Sequence, residues 1–279
     1  MEPFVLANGL ELPPVGFGTY KAAQGDDERV LRAAIDAGYR YFDTASFYGT
    51  EGALGRAIRE SGVPRDEFFL ATKLWKDEMG YDGAKQACAR SLERLGVDQV
   101  DLYLIHWPRP DLEGDWRTLD RETWRALEEL YYDGYTRAIG VSNFLPHHLE
   151  NLGEEARIFP MVDQLEFHPG YPQIEAIEFC QRCDVLPQAW SPLGRMRMMS
   201  DPLLAGIAAA HGVTGAQVCL RYALQKGVMP LPKSSDPTRM AQNLDVFGFA
   251  LTDDEVNALD AMPQTGWSGE HPDRDRTLV

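Results

Sequence analysis

The strongest constraint on the fold is a regular alternation along the chain. Short apolar runs alternate with longer stretches whose apolar residues recur with the period of an α-helix. The eight apolar runs are, in order, VGFG, YRYFDTA, FFLATK, VDLYLIHW, TRAIGVSN, MVDQLEF, VLPQAWSPL and VMPLPKS. Strands that alternate with helices are typical of a parallel sheet. The alternation therefore predicts eight strand–helix units.

The length of the chain leaves two arrangements for these units. Its 279 residues suit either two ordinary domains or one α/β barrel, which takes about 250 residues. No stretch rich in Pro, Gly or Ser divides the sequence, and runs such as VDLYLI are apolar on both faces, as in strands between helices and a filled barrel interior. We therefore predict a fold of the α/β class, a single-domain (β/α)8 TIM barrel over residues 1–279.

Both ends of the chain are predicted to add elements outside the eight units. An Asn-Gly pair within residues 4–12, flanked by alternating apolar and polar residues, indicates a two-stranded hairpin cap. Towards the C-terminus, LTDDEVNALDAM has Thr252 in an N-cap position and Glu255 three residues later, which indicates an extra helix. The polar tail over 263–279, rich in Gly and Pro, is expected to be a loop.

Composition and charge narrow the class of protein. The net charge of −16 would repel a phosphate backbone, so we expect no nucleic-acid partner, and any anionic ligand needs a local basic pocket. No apolar stretch approaches the roughly 20 residues that span a bilayer, and no signal peptide is visible at the start. The four cysteines are too few and too scattered for a disulfide framework. We therefore expect a cytoplasmic monomer without a membrane partner.

Polar residues cluster where a barrel places its chemistry, at the carboxyl ends of the strands. Asp43 closes the second barrel strand, Tyr48 lies in the loop after it, Lys73 closes the third strand and His106 closes the fourth. Taken singly, Asp43 suits a turn, and Tyr48 or His106 suits the core. Lys73 is harder to explain in this way, because a lysine is almost never buried without a partner. Together the four residues are predicted to face one mouth and to be catalytic.

This set of side chains suits proton delivery to a developing oxyanion. A free phenol, with a pKa of about 10, is a weak acid for work at neutral pH. A positive charge about 4 Å away, at an effective dielectric constant near 20, favours the phenolate by about 4 kcal/mol before the cost of burial. Our hypothesis is that Lys73 lowers the pKa of Tyr48 and that Asp43 keeps the ammonium protonated. His106 would orient the substrate oxygen or assist the transfer, in a protonation state that the sequence leaves open.

Other chemistries have weaker signals. No serine lies in a nucleophile elbow, and neither HExxH nor a pair of CxxC motifs is present, so we predict no metal site. Cys180 and Cys183 form one CxxC, but late in a helix, where no N-terminus stabilises a thiolate. His147 and His148 open a helix and are expected to be solvated.

A basic cluster follows the eighth strand, in LPKSSDPTRM. Lys233, Ser234 and Arg239 lie before and at the start of a helix, and helix N-termini bind phosphate through free amide groups. In barrels of this class the phosphate site frequently follows strands seven and eight. The alternative is that the serines cap the helix and the cations are solvated. Because no GxGxxG follows a strand, a dinucleotide would have to lie extended across the mouth.

Further candidates for a nicotinamide site lie at neighbouring strand ends. Trp190 ends the seventh strand and offers an aromatic face for stacking. Ser142 and Asn143 end the fifth strand, Gln164 lies in the sixth, and all three offer hydrogen bonds to a carboxamide. Each of these residues also has a structural interpretation when taken alone.

With these motifs in order, the chain resembles the aldo-keto reductase superfamily over nearly its full length. The stretches that carry the resemblance are YRYFDTASFYGTE, FFLATKLW, VDLYLIHWP, IGVSNF, DQLEFHP, AWSPLG and LPKSSDPTRMAQN. Within the family it is most similar to the prokaryotic 2,5-diketo-D-gluconate reductase branch. The resemblance implies an NADPH-dependent oxidoreductase that reduces aldehydes or ketones to alcohols, with Tyr48 as proton donor and Lys73, Asp43 and His106 completing a tetrad.

The resemblance also implies ligand-binding positions. For NADPH they are Gly18, Thr19, Tyr20, Asp43, Ser142, Asn143, Gln164, Trp190, Ser191, Leu193, Lys233, Ser234, Arg239, Gln242 and Asn243. Among these, Lys233, Ser234, Arg239 and Asn243 are expected around the adenosine 2′-phosphate and the adenine. A small carbonyl substrate is expected between Tyr20, Phe47, Tyr48, Trp75, His106 and Trp107, with the tail after Trp267; ordinary packing of the barrel rim is the alternative. Gln242, Asp163 and Tyr20 depart from the residues that the family commonly has.

Two other functions stay open at this point. One is a binding or regulatory protein that retains the cofactor pocket, against which the intact set of four polar residues argues. The other is a (β/α)8 hydrolase that uses Asp43 with another carboxylate, for which no second acid at a suitable strand end stands out.

Overall fold

A short antiparallel hairpin opens the described chain, which comprises residues 3–22, 25–108 and 114–274 of a computed structural model. Its strands are β1 (Phe4–Val5) and β2 (Glu11–Leu12). In the turn, Asn8 accepts a hydrogen bond from the amide of Leu10 and donates one to the carbonyl of Arg137, which fastens the hairpin to the larger sheet. The predicted N-terminal hairpin cap is confirmed.

Eight parallel strands form the central sheet, and each pairs with its neighbour in chain order. They are β3 (Phe17–Gly18), β4 (Tyr41–Asp43), β5 (Phe69–Leu74), β6 (Leu102–Ile105), β7 (Ile139–Ser142), β8 (Val162–Glu166), β9 (Leu186–Trp190) and β10 (Met229–Pro230). Backbone hydrogen bonds from Gly16 N to Pro230 O (3.1 Å) and from Gly18 N to Pro232 O (3.0 Å) join the first strand to the last. The curled sheet is thereby closed, and the predicted (β/α)8 barrel is confirmed.

Nine helices, numbered along the described chain, follow the strands; β9 is followed by two of them. They are α1 (Asp27–Asp36), α2 (Glu51–Glu60), α3 (Tyr81–Leu95), α4 (Trp116–Tyr132), α5 (Pro146–Gly153), α6 (Ile174–Arg182), α7 (Pro202–His211), α8 (Gly215–Gln225) and α9 (Pro237–Leu244). Their apolar faces pack on strands that are buried on both sides: all four residues of β6 are fully buried. The apolar runs of the sequence therefore correspond to strands enclosed by helices and by the barrel interior.

The predicted C-terminal helix is present as α10 (Asp253–Asp260). Thr252 Oγ1 accepts a hydrogen bond from the amide of Glu255 (3.2 Å), and the Glu255 carboxylate accepts one from the amide of Thr252 (2.8 Å). These two bonds form the expected capping box. The tail forms no helix or strand over 263–274, as expected for a loop, and its remainder, 275–279, lies outside the described residues.

Within the described ranges, no single helix is long and apolar enough to cross a membrane. Helices α7 and α8 meet the length and composition criteria only as a pair, with a bend of 88° between them. Leu204 and Ile207 of α7 and Val218 and Leu220 of α8 are buried in the core, so packing accounts for their apolar character.

The packing of α2 on α3 depends on a glycine. A Cβ atom added to Gly55 would lie 2.1 Å from the carbonyl oxygen of Leu95, whereas one added to Gly52 in the same helix would meet nothing nearer than 3.6 Å. We expect Gly55→Ala to lower the free energy of unfolding by about 1–3 kcal/mol through overpacking. The matched control, Gly52→Ala, should leave stability unchanged or raise it, because alanine favours a helix. Urea denaturation measures both, and equal stability of the two variants would contradict the close contact.

Candidate active site

A buried ion pair lies at the carboxyl ends of β4 and β5. The ammonium of Lys73 donates hydrogen bonds to Asp43 Oδ1 and Oδ2, both at 2.7 Å, and to the carbonyl of Thr44 at 3.0 Å. Lys73 is fully buried and Asp43 is 4% exposed. Burial lowers the pKa of Lys73, and the Asp43 carboxylate opposes this shift. The three contacts use the three N–H donors of an ammonium, so this pair is a closed unit.

Tyr48 and His106 lie beside the ion pair. Tyr48 ends a short 3₁₀ turn over Ser46–Tyr48, and its hydroxyl is 3.3 Å from Nε2 of His106, which follows β6. The Lys73 ammonium lies 5.1 Å from the centroid of the Tyr48 ring. The structure therefore brings the four predicted catalytic residues to one mouth of the barrel.

The expected lowering of the Tyr48 pKa is not found in this structure. Burial raises the pKa of Tyr48 well above its ordinary value, and the Asp43 carboxylate and Tyr20 act in the same direction. Burial is the largest cause, and the positive charge of Lys73 is offset by the Asp43 carboxylate with which it pairs. Tyr48 is therefore held as a neutral phenol with a proton to donate.

The nicotinamide-site candidates form one hydrogen-bonded group beside this pair. Gln164 Nε2 donates to Asp43 Oδ1 (2.8 Å), and the Ser142 hydroxyl donates to the carbonyl of Gln164 (2.7 Å). Asn143, with a left-handed φ of 64°, donates to the carbonyl of His106 (3.0 Å) and accepts from Trp190 Nε1 (2.8 Å). The left-handed backbone is one that asparagine tolerates better than most residues. Ser142, Asn143 and Gln164 are buried, and Trp190 is partly exposed.

The basic cluster lies at the start of α9, as predicted. Lys233 and Arg239 are exposed, and Ser234 is buried. The Asp236 side chain caps α9 by accepting a hydrogen bond from the amide of Arg239 (3.0 Å), while Ser234 Oγ accepts from the amide of Asp236 (3.1 Å). One of the free amides expected to bind phosphate is therefore already used, and the two cationic side chains are the groups that point to an anion.

The remaining residues that were predicted to bind NADPH lie at or after β3, after β9 and on α9. Gly18 pairs with Asp43, and a Cβ at this position would lie 3.2 Å from the carbonyl oxygen of Leu231, so the backbones approach closely here. Thr19 is fully buried, with Oγ1 3.0 Å from Thr50 Oγ1. Ser191 has a left-handed φ of 49°, and Leu193 packs partly buried against the core. On α9, Gln242 is exposed and Asn243 is buried.

Aromatic rings form a wall around the Tyr48 hydroxyl. Phe47 stacks on Trp75 at 4.0 Å between ring centroids, and Trp75 meets His106 edge-on at 5.0 Å. Tyr20 lies 4.9 Å from the ring of Tyr48. Phe47 and Tyr20 are 45% and 39% exposed, so they are open to a ligand.

The remaining residues that were expected to line the substrate pocket are Trp107 and the tail after Trp267. Trp107, next to His106, is 8% exposed. In the tail, the Trp267 ring stacks on Tyr171 at 5.9 Å, and its carbonyl accepts a hydrogen bond from Arg197. The described part of the tail therefore crosses the loops after β8 and β9.

Two acidic residues at this mouth had no role in the sequence interpretation. Glu166 ends β8, is 2% exposed, and accepts hydrogen bonds from the amide (2.9 Å) and hydroxyl (2.6 Å) of Ser268 in the tail. Glu78 follows β5 and accepts hydrogen bonds from the hydroxyl of Ser46 and the amide of Trp75. The position of Glu166 in DQLEF, at the end of an apolar strand, was the one signal for it; nothing in the sequence links Glu78 to Ser46.

The expectation that both helix-opening histidines are solvated is wrong for one of them. His147 is exposed, but His148 is fully buried, and its Nδ1 accepts a hydrogen bond from the amide of Leu145 (3.0 Å). Among the described residues, His147, His148 and Asp273 place ligand atoms within 4.8 Å of one another. The Nε2 atoms of His147 and His148 lie 3.1 and 3.3 Å from Asp273 Oδ1.

Comparison with known proteins assigns the chain to a family. The aldo/keto reductase family model matches residues 14–263. The chain belongs to the aldo/keto reductase family. The resemblance drawn from the sequence is thereby confirmed, and with it an oxidoreductase class that acts on carbonyl compounds. The similarity to the 2,5-diketo-D-gluconate reductase branch stays a prediction.

The similarity to relatives and solved structures extends over nearly the whole chain. A glyoxal reductase of Bacillus subtilis (strain 168) is 44% identical over 269 residues, covering 96% of this chain and 95% of its own. An aldo/keto reductase of Brucella melitensis has a TM-score of 0.86 at 40% identity, covering 92% of this chain and 98% of its own. A Bombyx mori aldo-keto reductase in complex with NADP has a TM-score of 0.86 at 34% identity, covering 92% and 91%.

Substitution of Lys73 tests how much the buried Lys73–Asp43 ion pair contributes to stability. Lys73→Met leaves the Asp43 carboxylate buried with only Gln164 as a donor among the contacts above, so we expect a loss of about 3–5 kcal/mol in the free energy of unfolding at neutral pH. Adding Asp43→Asn should recover part of this loss, because no buried charge remains. The control is Lys85→Met, whose exposed pair with Glu129 should matter little. Equal loss in Lys73→Met and Lys85→Met, measured by urea denaturation, would contradict the buried pair.

Proposed function

We propose that this aldo/keto reductase uses NADPH to reduce aldehydes or ketones to alcohols, with Tyr48 as the proton donor. The observation that carries the proposal is the Tyr48 hydroxyl, 3.3 Å from His106 Nε2 and beside the buried Lys73–Asp43 pair. The group opens onto the aromatic wall, where a carbonyl compound can reach it.

The chemistry assigned to these residues is a single proton transfer. When bound, NADPH supplies the hydride that is added to the carbonyl carbon. Tyr48 is a neutral phenol, so its hydroxyl can pass a proton to the carbonyl oxygen as negative charge develops there. His106 Nε2 lies close enough to orient that oxygen. Lys73, 5.1 Å from the ring centroid and paired with Asp43, lies beside the ring that loses the proton.

The residues present fit a nicotinamide dinucleotide. Ser142, Asn143 and Gln164 are buried polar side chains beside the partly exposed Trp190, whose Nε1 donates to Asn143 Oδ1, and this set suits a carboxamide ring. After the neighbouring strand β10, Lys233 and Arg239 offer positive charge in a chain of net charge −16. The NADP complex of the Bombyx mori relative supports this cofactor. We assign the adenosine 2′-phosphate to the two cations, with Ser234 and Asn243 nearby.

The proposed substrate is a compact carbonyl compound. Tyr20, Phe47 and Trp75 bound the approach to Tyr48 with aromatic surface, and the glyoxal reductase relative supports a small aldehyde. We further propose that residues 1–279 act as one domain and as a monomer that needs no metal. The cytosol is the proposed compartment, because its reducing conditions suit the free thiols of all four cysteines.

Removal of one hydroxyl tests the proton donor. In Tyr48→Phe we expect turnover of a small aldehyde, followed as loss of NADPH absorbance, to fall by about 10²–10⁴-fold. The NADPH dissociation constant, measured by quenching of tryptophan fluorescence, should stay the same. Tyr132→Phe is the matched control, since it removes a hydroxyl from an exposed ring on α4 and should retain turnover. Full activity of Tyr48→Phe would remove Tyr48 from the mechanism.

The preference for NADPH over NADH tests the role of the basic cluster at the start of α9. Arg239→Ala should weaken NADPH binding about 10- to 100-fold, the worth of a charge-assisted hydrogen bond, and should hardly affect NADH. The control is Arg182→Ala, an exposed arginine on α6 paired only with Glu178 among the described contacts. If wild-type protein binds NADH as tightly as NADPH, the 2′-phosphate assignment is wrong.

A further inference from the structure

One carboxylate joins the two loops that carry Phe47 and Trp75 of the aromatic wall. Glu78 lies in the short 3₁₀ turn Lys76–Glu78 after β5. Its Oε2 accepts a hydrogen bond from the hydroxyl of Ser46 (2.7 Å), in the loop after β4, and another from the amide of Trp75 (3.0 Å), in its own loop. A single oxygen atom therefore ties the two loops together.

The segments held by Glu78 carry the residues that face the substrate. Ser46 opens the turn Ser46–Tyr48, so its hydrogen bond fixes the turn that presents Phe47 and Tyr48. The hydrogen bond from the backbone amide of Trp75 fixes that residue. Phe47 stacks on the Trp75 ring at 4.0 Å, and His106 packs against the same ring at 5.0 Å. Phe47 is 45% exposed, so its own burial contributes little to holding it.

The charge of Glu78 is maintained by its surroundings. Partial burial acts to raise the pKa of Glu78, but the bonds from Trp75 and Ser46, together with Arg90, outweigh it, and the pKa lies below its ordinary value. Arg90 of α3 donates to Oε1 at 3.0 Å. An ionised acceptor makes stronger hydrogen bonds than a neutral one, so both loops are held firmly at neutral pH.

We infer that Glu78 is a positioning residue that sets the distance between the Tyr48 hydroxyl and the Phe47–Trp75 wall, and thereby the preference for compact carbonyl substrates. This inference rests on the proposed function. Glu78 acts through Ser46 and Trp75 without touching substrate. Loss of its contacts would let the turn Ser46–Tyr48 and Trp75 move independently, which enlarges the space beside Tyr48 and misplaces the proton donor.

The test compares Glu78→Ala with Glu255→Ala. Glu255 makes similar contacts, with a backbone amide and hydroxyl from Thr252 and an imidazole partner in His211, but on α10, outside the eight strand–helix units. Because a misplacement of about 1 Å costs about 100-fold, we expect kcat/KM for glyoxal to fall at least about 10-fold in Glu78→Ala. The ratio of kcat/KM for glyoxal to that for benzaldehyde should also fall. Binding of NADPH should stay the same, and Glu255→Ala should change none of these values.

Two milder variants keep the inference testable if Glu78→Ala fails to fold. Ser46→Ala removes only the bond between the loops, and we expect a loss of about fivefold in kcat/KM for glyoxal with the same shift in the ratio. Glu78→Gln keeps an acceptor oxygen and should retain more activity than Glu78→Ala or Ser46→Ala. If Ser46→Ala and Glu78→Ala match Glu255→Ala in both kcat/KM and the substrate ratio, the positioning role is wrong.

The two proposals fail in different ways. Wild-type protein that binds no NADPH, or that turns over neither aldehyde with it, contradicts the proposed function. Wild-type turnover with unaltered kinetics in the Glu78 and Ser46 variants contradicts only the positioning role.

Discussion

The need of a buried ammonium for a partner organises the mouth of this barrel. Lys73 is fully buried at the end of β5, where an unpaired charge would cost several kcal/mol. Asp43 at the end of the neighbouring strand supplies the counter-charge, and the carbonyl of Thr44 takes the third proton. Gln164 then satisfies Asp43 from the opposite side of the barrel. Four strand ends are in this way tied to one point through Asp43, Lys73, Gln164 and Ser142.

The same pairing limits how far Lys73 can lower the pKa of the candidate acid. A free lysine charge beside a phenol would favour the phenolate, whereas a lysine paired with a carboxylate presents little net charge. Burial then dominates, and the pKa of Tyr48 rises. The ion pair thus contributes little net charge to the acidity of Tyr48.

Much of this architecture could be predicted from the sequence because it depends on local patterns. The period of the apolar residues located the eight strand–helix units, and Thr252 with Glu255 located the last helix. Strand ends in a closed parallel barrel meet at one edge, so placing Asp43, Lys73 and His106 at strand ends was enough to predict that they converge. The burial of His148 could not be predicted, since its position beside an exposed His147 depends on the tail and α5 packing together.

The sequence by itself determined the order and type of the elements and which side chains face the mouth, because strand and helix periodicity act over a few residues. Only the tertiary structure decided how the charges are shared. Lys73 is neutralised by Asp43, Asp236 uses an amide of α9, and Glu78 joins the loops after β4 and β5. Each of these depends on distances between segments far apart in the chain, or on which of several acceptors a donor meets. A local pattern carries no information about such distances.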